Sequence, residues 1–535
     1  MIESLQKTKK KPTLAMIMML TIAAAIIQSC TGKDNIRIYM IGDSTMADYA
    51  ENTTQKRGWG EMLEQYVPTG VKVMNYARPG RSSRSFYEEQ IWKTVYDTLR
   101  RGDYVIIQFA HNDEKAQGQD GADGRGTAPW TTYVEYLKKY ITETREKGAT
   151  PILVQPIVRR YFEGNAITPK GRHNLSESNE QNDTTLSYTA AMRSVAAEMG
   201  VPLIDMDTKS KEITESYGPK DSKGKLYVDT DQTHTAAQGA AIYALCVAEA
   251  LDTLKIWRGA IRREQIVCNP HDIEFEDIFI DDTVYQCIDI IDMGGMTSRN
   301  YLSRKTTMEL AVQGDEYKLS RTIDGELKDT LKIEMDGSAT AFVYYMPKAV
   351  RKTQGKITMK TPAGRGTTRI SGNGEKVRSR RKTELTWPNI RETSENAEMT
   401  IKLSKLKGVV RDGETFNIEG DYWPAEIDEN GNRYFQIKIS SKDKNVKIKN
   451  IRMKTSGDMC YRMAYSYGDD FYHRSVIGER VETAKDWDEQ DKYNTNIQIN
   501  KGEIVLIRVY PWSQQEGNGK RFSITNMVLE GMATE

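Results

Sequence analysis

Ile36-Arg37-Ile38-Tyr39-Met40-Ile41-Gly42-Asp43-Ser44-Thr45 is the stretch on which the fold turns. A short, almost unbroken apolar run halted by glycine reads as a strand buried on both faces, the kind that parallel sheets contain. Gly42-Asp43-Ser44-Thr45 then leaves the sheet at the carboxyl end of that strand. In open α/β sheets, ligands bind at that edge.

Similar runs recur outward from it, at residues 71–76, 104–109, 151–157 and 201–204. Between them Tyr133, Tyr136, Leu137, Tyr140 and Ile141 fall on one face of a helix, and residues 186–199 and 235–251 are further helical patterns, the first ended by Gly200. Strands alternating with helices predict a three-layer α/β/α domain over residues 36–258, with a parallel sheet covered on both faces. The polar loops 113–126 and 159–185 exceed ordinary connector length, as functional loops often do.

Past Trp257 the period changes to two. Arg433-Tyr434-Phe435-Gln436-Ile437-Lys438-Ile439, Val446-Lys447-Ile448-Lys449 and the runs 504–510 and 522–529 alternate, with Glu429-Asn430-Gly431-Asn432 and Gly517-Asn518-Gly519 as turns. This predicts an antiparallel β-sandwich over 406–535, and a less regular β-rich module or linker region over 259–405.

The 535 residues carry 76 Lys+Arg against 75 Asp+Glu, 28% charged and 38% apolar in all. That length suits two to four domains, and a net charge of +1 lacks the basic footprint of a nucleic-acid binder. The first 29 residues read as a lipoprotein signal peptide. Lys7, Lys9, Lys10 and Lys11 precede 14 uncharged, mostly apolar residues, 14–27, too few to span a bilayer. Ile27-Gln28-Ser29-Cys30 then resembles a bacterial lipobox with Cys30 as the lipidated residue, and an ordinary cleaved signal is the plainer alternative. Removing residues 1–29 takes away four lysines and one glutamate and moves the net charge from +1 to −2.

The remaining cysteines, Cys246, Cys268, Cys287 and Cys460, include no CxxC pair, which argues against a structural zinc site. Cys268–Cys287 is a possible bridge in an exported protein, and Cys246 reads as a buried free thiol. Between residues 348 and 382 stand twelve Lys/Arg and one acidic residue, Glu375. Such a run is either a solvated face or an anion-binding patch for an acidic polymer.

The chemistry gathers where strands end. Gly42-Asp43-Ser44-Thr45 follows the first strand, Ala77-Arg78-Pro79-Gly80-Arg81-Ser82 the second, and Ala110-His111-Asn112-Asp113 the third, while Asp231-Gln232-Thr233-His234 precedes the last helix. Acyl transfer needs a nucleophile, a base, a group that orients the base, and donors for the oxyanion. Ser44 is the candidate nucleophile, His234 the base and Asp231 its orienting carboxylate. The backbone N–H groups of Ser44 and Gly80 and the side-chain amide of Asn112 are candidate oxyanion donors. Arg81, His111 and Arg159 are weaker substrate-contact candidates, because a guanidinium can grip a carboxylate. Plainer roles exist for each: a helix cap for Ser44, packing at a helix start for His234, a Pro-Gly turn for Gly80 and a turn for Asn112.

Jointly, Gly42-Asp43-Ser44, Gly80, Asn112 and Asp231…His234 resemble the four blocks of the SGNH (GDSL) hydrolase superfamily, in order. Gly42-Asp43-Ser44-Thr45, Gly80-Arg81-Ser82-Ser83-Arg84-Ser85 and His111-Asn112-Asp113 look like the rhamnogalacturonan acetylesterases and their pectin-deacetylating relatives. The resemblance covers about residues 36–255. It implies a flavodoxin-like fold and ester hydrolysis with neither metal nor cofactor. The expected activity is removal of acetyl groups from an acidic pectin-type polysaccharide or oligosaccharide, by a protein lipid-anchored in the outer membrane on its periplasmic or outer face. The rivals are an SGNH esterase acting on another acyl ester and a non-catalytic surface glycan-binding lipoprotein.

Overall fold

The computed structural model describes residues 36–49, 55–116, 124–176, 183–257, 259–280, 283–294, 296–297, 300–322, 325–375, 380–387, 393–395, 399–403, 409–412, 415–419, 422–423, 434–442, 444–468, 475–487 and 491–534. Cys30 and the signal segment lie outside them.

Four strands, β1 (Arg37–Gly42), β2 (Lys72–Asn75), β3 (Tyr104–Gln108) and β4 (Thr150–Val154), with the short strand Leu203–Ile204, form one parallel sheet. Its order is β2-β1-β3-β4 followed by Leu203–Ile204. The chain steps to one side of β1 and then to the other, so the winding direction reverses between β1 and β3. Such a switch point opens a crevice at the carboxyl ends of the strands, where Ser44 and Asn112 follow.

Alternate residues of β1 enter opposite cores, as a strand buried on both faces requires. Ile38 and Met40 join Ile106, Ile152 and Val154 under the helix Ala237–Thr253, whereas Tyr39 and Ile41 join Val105, Ile107 and Leu153 under helices Ile91–Thr98, Val134–Glu146 and Tyr188–Met199. Helix Tyr188–Met199 starts where the Ser187 hydroxyl accepts from the Ala190 N–H and stops at Gly200, whose φ is +59°. Helix Ala237–Thr253 is apolar nearly all round, and all its residues from Gln238 to Ala248 are buried. It is enclosed by the sheet on one side and by Val267, Ile291 and Met293 of the following β region on the other.

Four helices escape the periodic reading, the four-residue Trp59–Met62 among them. Ser83–Glu88 hides in a polar run because Ser82 and Ser85 cap one another reciprocally. Ile91–Thr98 spans only eight residues, and Met206–Asp221 is mostly polar.

Residues 266–375 build a nine-stranded sheet around a core of its own. Here the expected Cys268–Cys287 bridge is not made, and both residues are buried thiols. Cys268 pairs across the strands with Ile290, three residues from Cys287, so the two point to opposite faces. Cys268 lies in the sheet's inner core and Cys287 packs with Phe342 and Tyr344. Cys246 is the buried thiol expected, and burial pushes it up to about 12.

Two further antiparallel sheets face each other over one core made by strands such as Phe435–Ser441, Asn445–Ser456, Ile504–Trp512 and Arg521–Thr534. Arg380–Trp387 pairs with Arg521–Thr534, and Met399–Leu403 with Phe435–Ser441. Strand pairing therefore joins Arg380–Trp387 and Met399–Leu403 to the C-terminal sheets, ahead of position 406. Trp423, Tyr510 and Trp512 are buried in this region as packing residues.

Candidate active site

Ser44 sits on a tight turn just past β1. The Asp43 carboxylate accepts from the Thr45 N–H at 2.9 Å and from its hydroxyl at 2.7 Å, while the Met46 and Ala47 N–H groups close onto the Asp43 carbonyl. No regular helix begins there, so Ser44 is not a cap. The Tyr49 hydroxyl donates to the Ser44 carbonyl at 2.9 Å and pins the turn from outside.

His234 approaches from the other end of the domain. Its Nε2 lies 3.0 Å from the Ser44 hydroxyl and its Nδ1 lies 2.7 Å from the Asp231 carboxylate. The other Asp231 oxygen accepts from the Thr233 and His234 N–H groups, both at 2.8 Å. Burial resists ionisation of Asp231, but these bonds and the adjacent imidazole outweigh it and hold its carboxyl below the usual range. An ionised Asp231 keeps the proton on Nδ1, which leaves the Nε2 lone pair facing Ser44. The helix after His234 starts at Ala237 with Ala236 as its cap, so His234 caps nothing. The pair is half-buried, with 23% of the His234 side chain and 33% of Asp231 exposed.

Gly80 has a φ of +80°, and among the described residues an added Cβ would meet only Arg125 Nη1, at 4.0 Å. Conformation therefore demands glycine here, and the space beside it is open. The Asn112 amide donates to the Arg81 carbonyl at 3.0 Å, which ties the loop after β3 to the loop after β2. An amide carries two N–H donors, so a second remains for another acceptor.

Below this layer lies a set of buried polar groups. Asp43 Oδ2 faces His111 Nδ1 at 3.1 Å, and the Glu114 carboxylate bridges Arg159 Nε at 2.6 Å and His173 Nδ1 at 2.8 Å. His173 Nε2 donates to the Ile157 carbonyl at 2.9 Å. With oxygen acceptors on both nitrogens, His173 is a cation, and Glu114 raises its pKa against the pull of burial. His111 is pushed down to about 4, by burial above all, and its Nε2 is buried with no hydrogen-bond partner. Asp113 accepts from the Ser83 N–H and hydroxyl and from the Thr127 hydroxyl, yet burial pushes it up to about 7.

Two of the expected substrate-contact residues lie in this layer. Arg159 is 6% exposed. Its guanidinium is used by Glu114, by the His111 carbonyl at 2.8 Å and by the Thr233 hydroxyl, and so it spans the loops that carry Asn112 and His234. His111 is 2% exposed and equally sealed from the surface. Arg81 stays at the surface, paired with Glu89 at 2.8 Å. Glu114 and His173 went unread because they stand 59 positions apart and form no motif. Asp43 and Asp113 sat inside quoted motifs, where a buried carboxylate looks no different from a solvated one.

The model of the GDSL-like lipase/acylhydrolase family matches residues 40–242. Rhamnogalacturonan acetylesterase RhgT of Bacillus subtilis is 34% identical over 235 residues, which is 42% of this chain and 92% of that protein. The probable rhamnogalacturonan acetylesterase YesY of the same organism is also 34% identical, over 41% of this chain and 93% of its own length. Rhamnogalacturonan acetylesterase of Emericella nidulans is 32% identical, over 39% of this chain and 81% of its own. Relatives matched along nearly their whole length, on a sheet of this order, place the chain in the GDSL-like lipase/acylhydrolase family, and it is an ester hydrolase.

Proposed function

We propose that the chain removes acetyl groups from a pectin-type polysaccharide of the rhamnogalacturonan class, with Ser44 as nucleophile, His234 as base and Asp231 as its orienting group. The contact that carries the reading is the 3.0 Å approach of His234 Nε2 to the Ser44 hydroxyl, with Asp231 behind it at 2.7 Å. As Ser44 Oγ bonds to the acetyl carbon, its proton passes to Nε2 and the carbonyl electron pair moves onto oxygen. The Ser44 and Gly80 N–H groups and the second Asn112 N–H receive that charge. Collapse breaks the bond to the sugar oxygen, which takes the proton from His234. Water then enters by the same route, releasing acetate and restoring Ser44. The names of the three relatives support the polysaccharide.

An acidic substrate also suits the nine-stranded sheet. Within the basic run, Lys356 stands opposite Arg369 and Lys360 opposite Arg365, all four exposed on one face. Like charges directly opposite one another cost stability, and a polyanion laid across them would offset that cost. Arg369 is part-neutralised by Asp272 at 2.9 Å, which leaves the excess of charge on Lys356, Lys360 and Arg365. Export and lipidation at Cys30 complete the proposal and place the enzyme at the outer membrane, beside polymeric substrate. Radiolabelled palmitate on wild type and Cys30→Ala tests that part.

Acetate release from acetylated rhamnogalacturonan, homogalacturonan, xylan and an aryl acetate tests the whole. The expected order puts rhamnogalacturonan first, with Ser44→Ala inactive on all four. Equal rates on every acetate would retire the pectin assignment, and an active, folded Ser44→Ala would retire the nucleophile.

A further inference from the structure

The catalytic loops are held from outside their own domain. On the nine-stranded sheet, Asp289 and Asn269 are cross-strand partners, so their side chains leave the same face side by side. Opposite them stand Arg57 and Glu61, four residues apart, the second on the short helix Trp59–Met62. Asp289 accepts from Arg57 Nε at 2.6 Å, and the Asn269 amide donates to Glu61 at 2.7 Å. Arg57 also lies 3.6 Å from Glu61, and its side chain is 1% exposed. A pair on one module thus meets a pair on the other in a sealed seam.

Each member of the inner pair continues to a catalytic loop. Glu61 accepts the Tyr49 N–H at 2.6 Å, and the Tyr49 hydroxyl donates to the Ser44 carbonyl at 2.9 Å. The Arg57 N–H donates to the carbonyl of Thr235, the residue after His234, at 2.9 Å, and the Thr235 hydroxyl donates back to the Arg57 carbonyl. One branch ends at the nucleophile and the other at the base.

We propose that the nine-stranded β module is a positioning element of the esterase, in which Asp289 and Asn269, acting through Arg57 and Glu61, set the approach of His234 to Ser44. The inference rests on the reading of those two residues as the catalytic pair. Asp289 and Asn269 touch no substrate; they act through the loops. An arginine sealed in the seam and stripped of its carboxylate would draw water or shift, and the Thr235 carbonyl would move with its backbone. Misplacement of reacting groups by an ångström costs on the order of 10²-fold in rate.

Full-length Asp289→Ala, Asp289→Asn and Asn269→Ala, each checked by near-ultraviolet circular dichroism, test this with two readouts. The first is kcat and KM on an aryl acetate too small to reach the β module. The second is the rate at which a fluorophosphonate labels Ser44, which reads the nucleophile without any sugar. Asp289→Ala should lower kcat and the labelling rate together by roughly 10- to 10²-fold, with KM within about twofold. Asp289→Asn keeps an acceptor for Arg57 Nε and should recover most of the loss, while Asn269→Ala should lower both readouts less. If Asp289→Ala does not fold, the other two variants carry the comparison. Wild-type kcat and labelling in folded variants, or a raised KM at unchanged kcat, would overturn the proposal. Failure of fluorophosphonate to label Ser44 in the wild type would instead overturn the nucleophile itself, a result of a different kind.

Discussion

Among the described residues of the catalytic domain stand two Asp–His pairs, one beneath the other. In the upper one His234 meets Asp231 at 2.7 Å, and in the lower one His111 meets Asp43 at 3.1 Å. Both use Nδ1. The difference lies at Nε2, which in His234 faces a serine hydroxyl at a half-exposed surface and in His111 has no hydrogen-bond partner among the described residues. The carboxylate–imidazole contact alone therefore does not make a catalytic base. A base also needs a proton donor in reach and access for the reacting ester. The lower pair instead stiffens the turn on which Ser44 stands, since Asp43 holds Thr45 as well as His111.

The largest effect should separate the pairs outright. Ser44→Ala and His234→Ala should each lower acetate release by roughly 10⁴-fold or more, because nucleophile and base act as a unit. His111→Gln, which can still reach Asp43, should stay within about tenfold of wild type if the lower pair only positions. Titration of acetate release by pH-stat reads all three, and a His111→Gln loss as deep as that of His234→Ala would break the distinction.

Next in size is the loop that joins the two layers. Asn112 neighbours His111 in sequence yet points its amide upward to the Arg81 carbonyl. Asn112→Ala should cost roughly 10²–10³ in kcat, the usual price of one oxyanion donor, with KM little changed. Steady-state kinetics on an aryl acetate decides it; a loss confined to KM would move Asn112 from the oxyanion to substrate binding.

The upper pair was legible in the sequence and the lower one was not, for physical reasons. Ser44, Gly80, Asn112 and the Asp231…His234 spacing follow strands whose apolar runs mark their own ends, so the loops they occupy could be placed at one sheet edge. Whether a polar side chain at that edge faces solvent or the interior depends on contacts from distant segments. Arg159 was read as a substrate grip because its chemistry suits a carboxylate, but Glu114 already supplies one at 2.6 Å. The same limit hid the seam between Arg57 and Asp289, which lie 232 positions apart. The unmade Cys268–Cys287 bridge is a matter of face parity, and parity needs the register as well as the spacing.

The smallest expected effect is on stability, where the lower layer should show two opposed slopes. Burial lowers His111 from 6.5 to about 4, so between those values the unfolded chain binds the proton that the native chain refuses. The His111 contribution to stability therefore rises with pH across that window. Asp113 is the reverse case, raised by burial from 3.8 to about 7, so the native chain keeps a proton the unfolded chain has released. Its contribution is full below about 4 and is lost as pH rises through 7. Each slope is worth at most about 1.4 kcal/mol per pH unit, and in the wild type they largely cancel between pH 4.5 and 6.5. Removing one should expose the other. Relative to wild type, His111→Gln should turn the Tm profile between pH 4.5 and 6.5 downward, and Asp113→Asn should turn it upward. Differential scanning calorimetry at four pH values reads both, and parallel Tm profiles in the two variants would show that neither buried group titrates in that window.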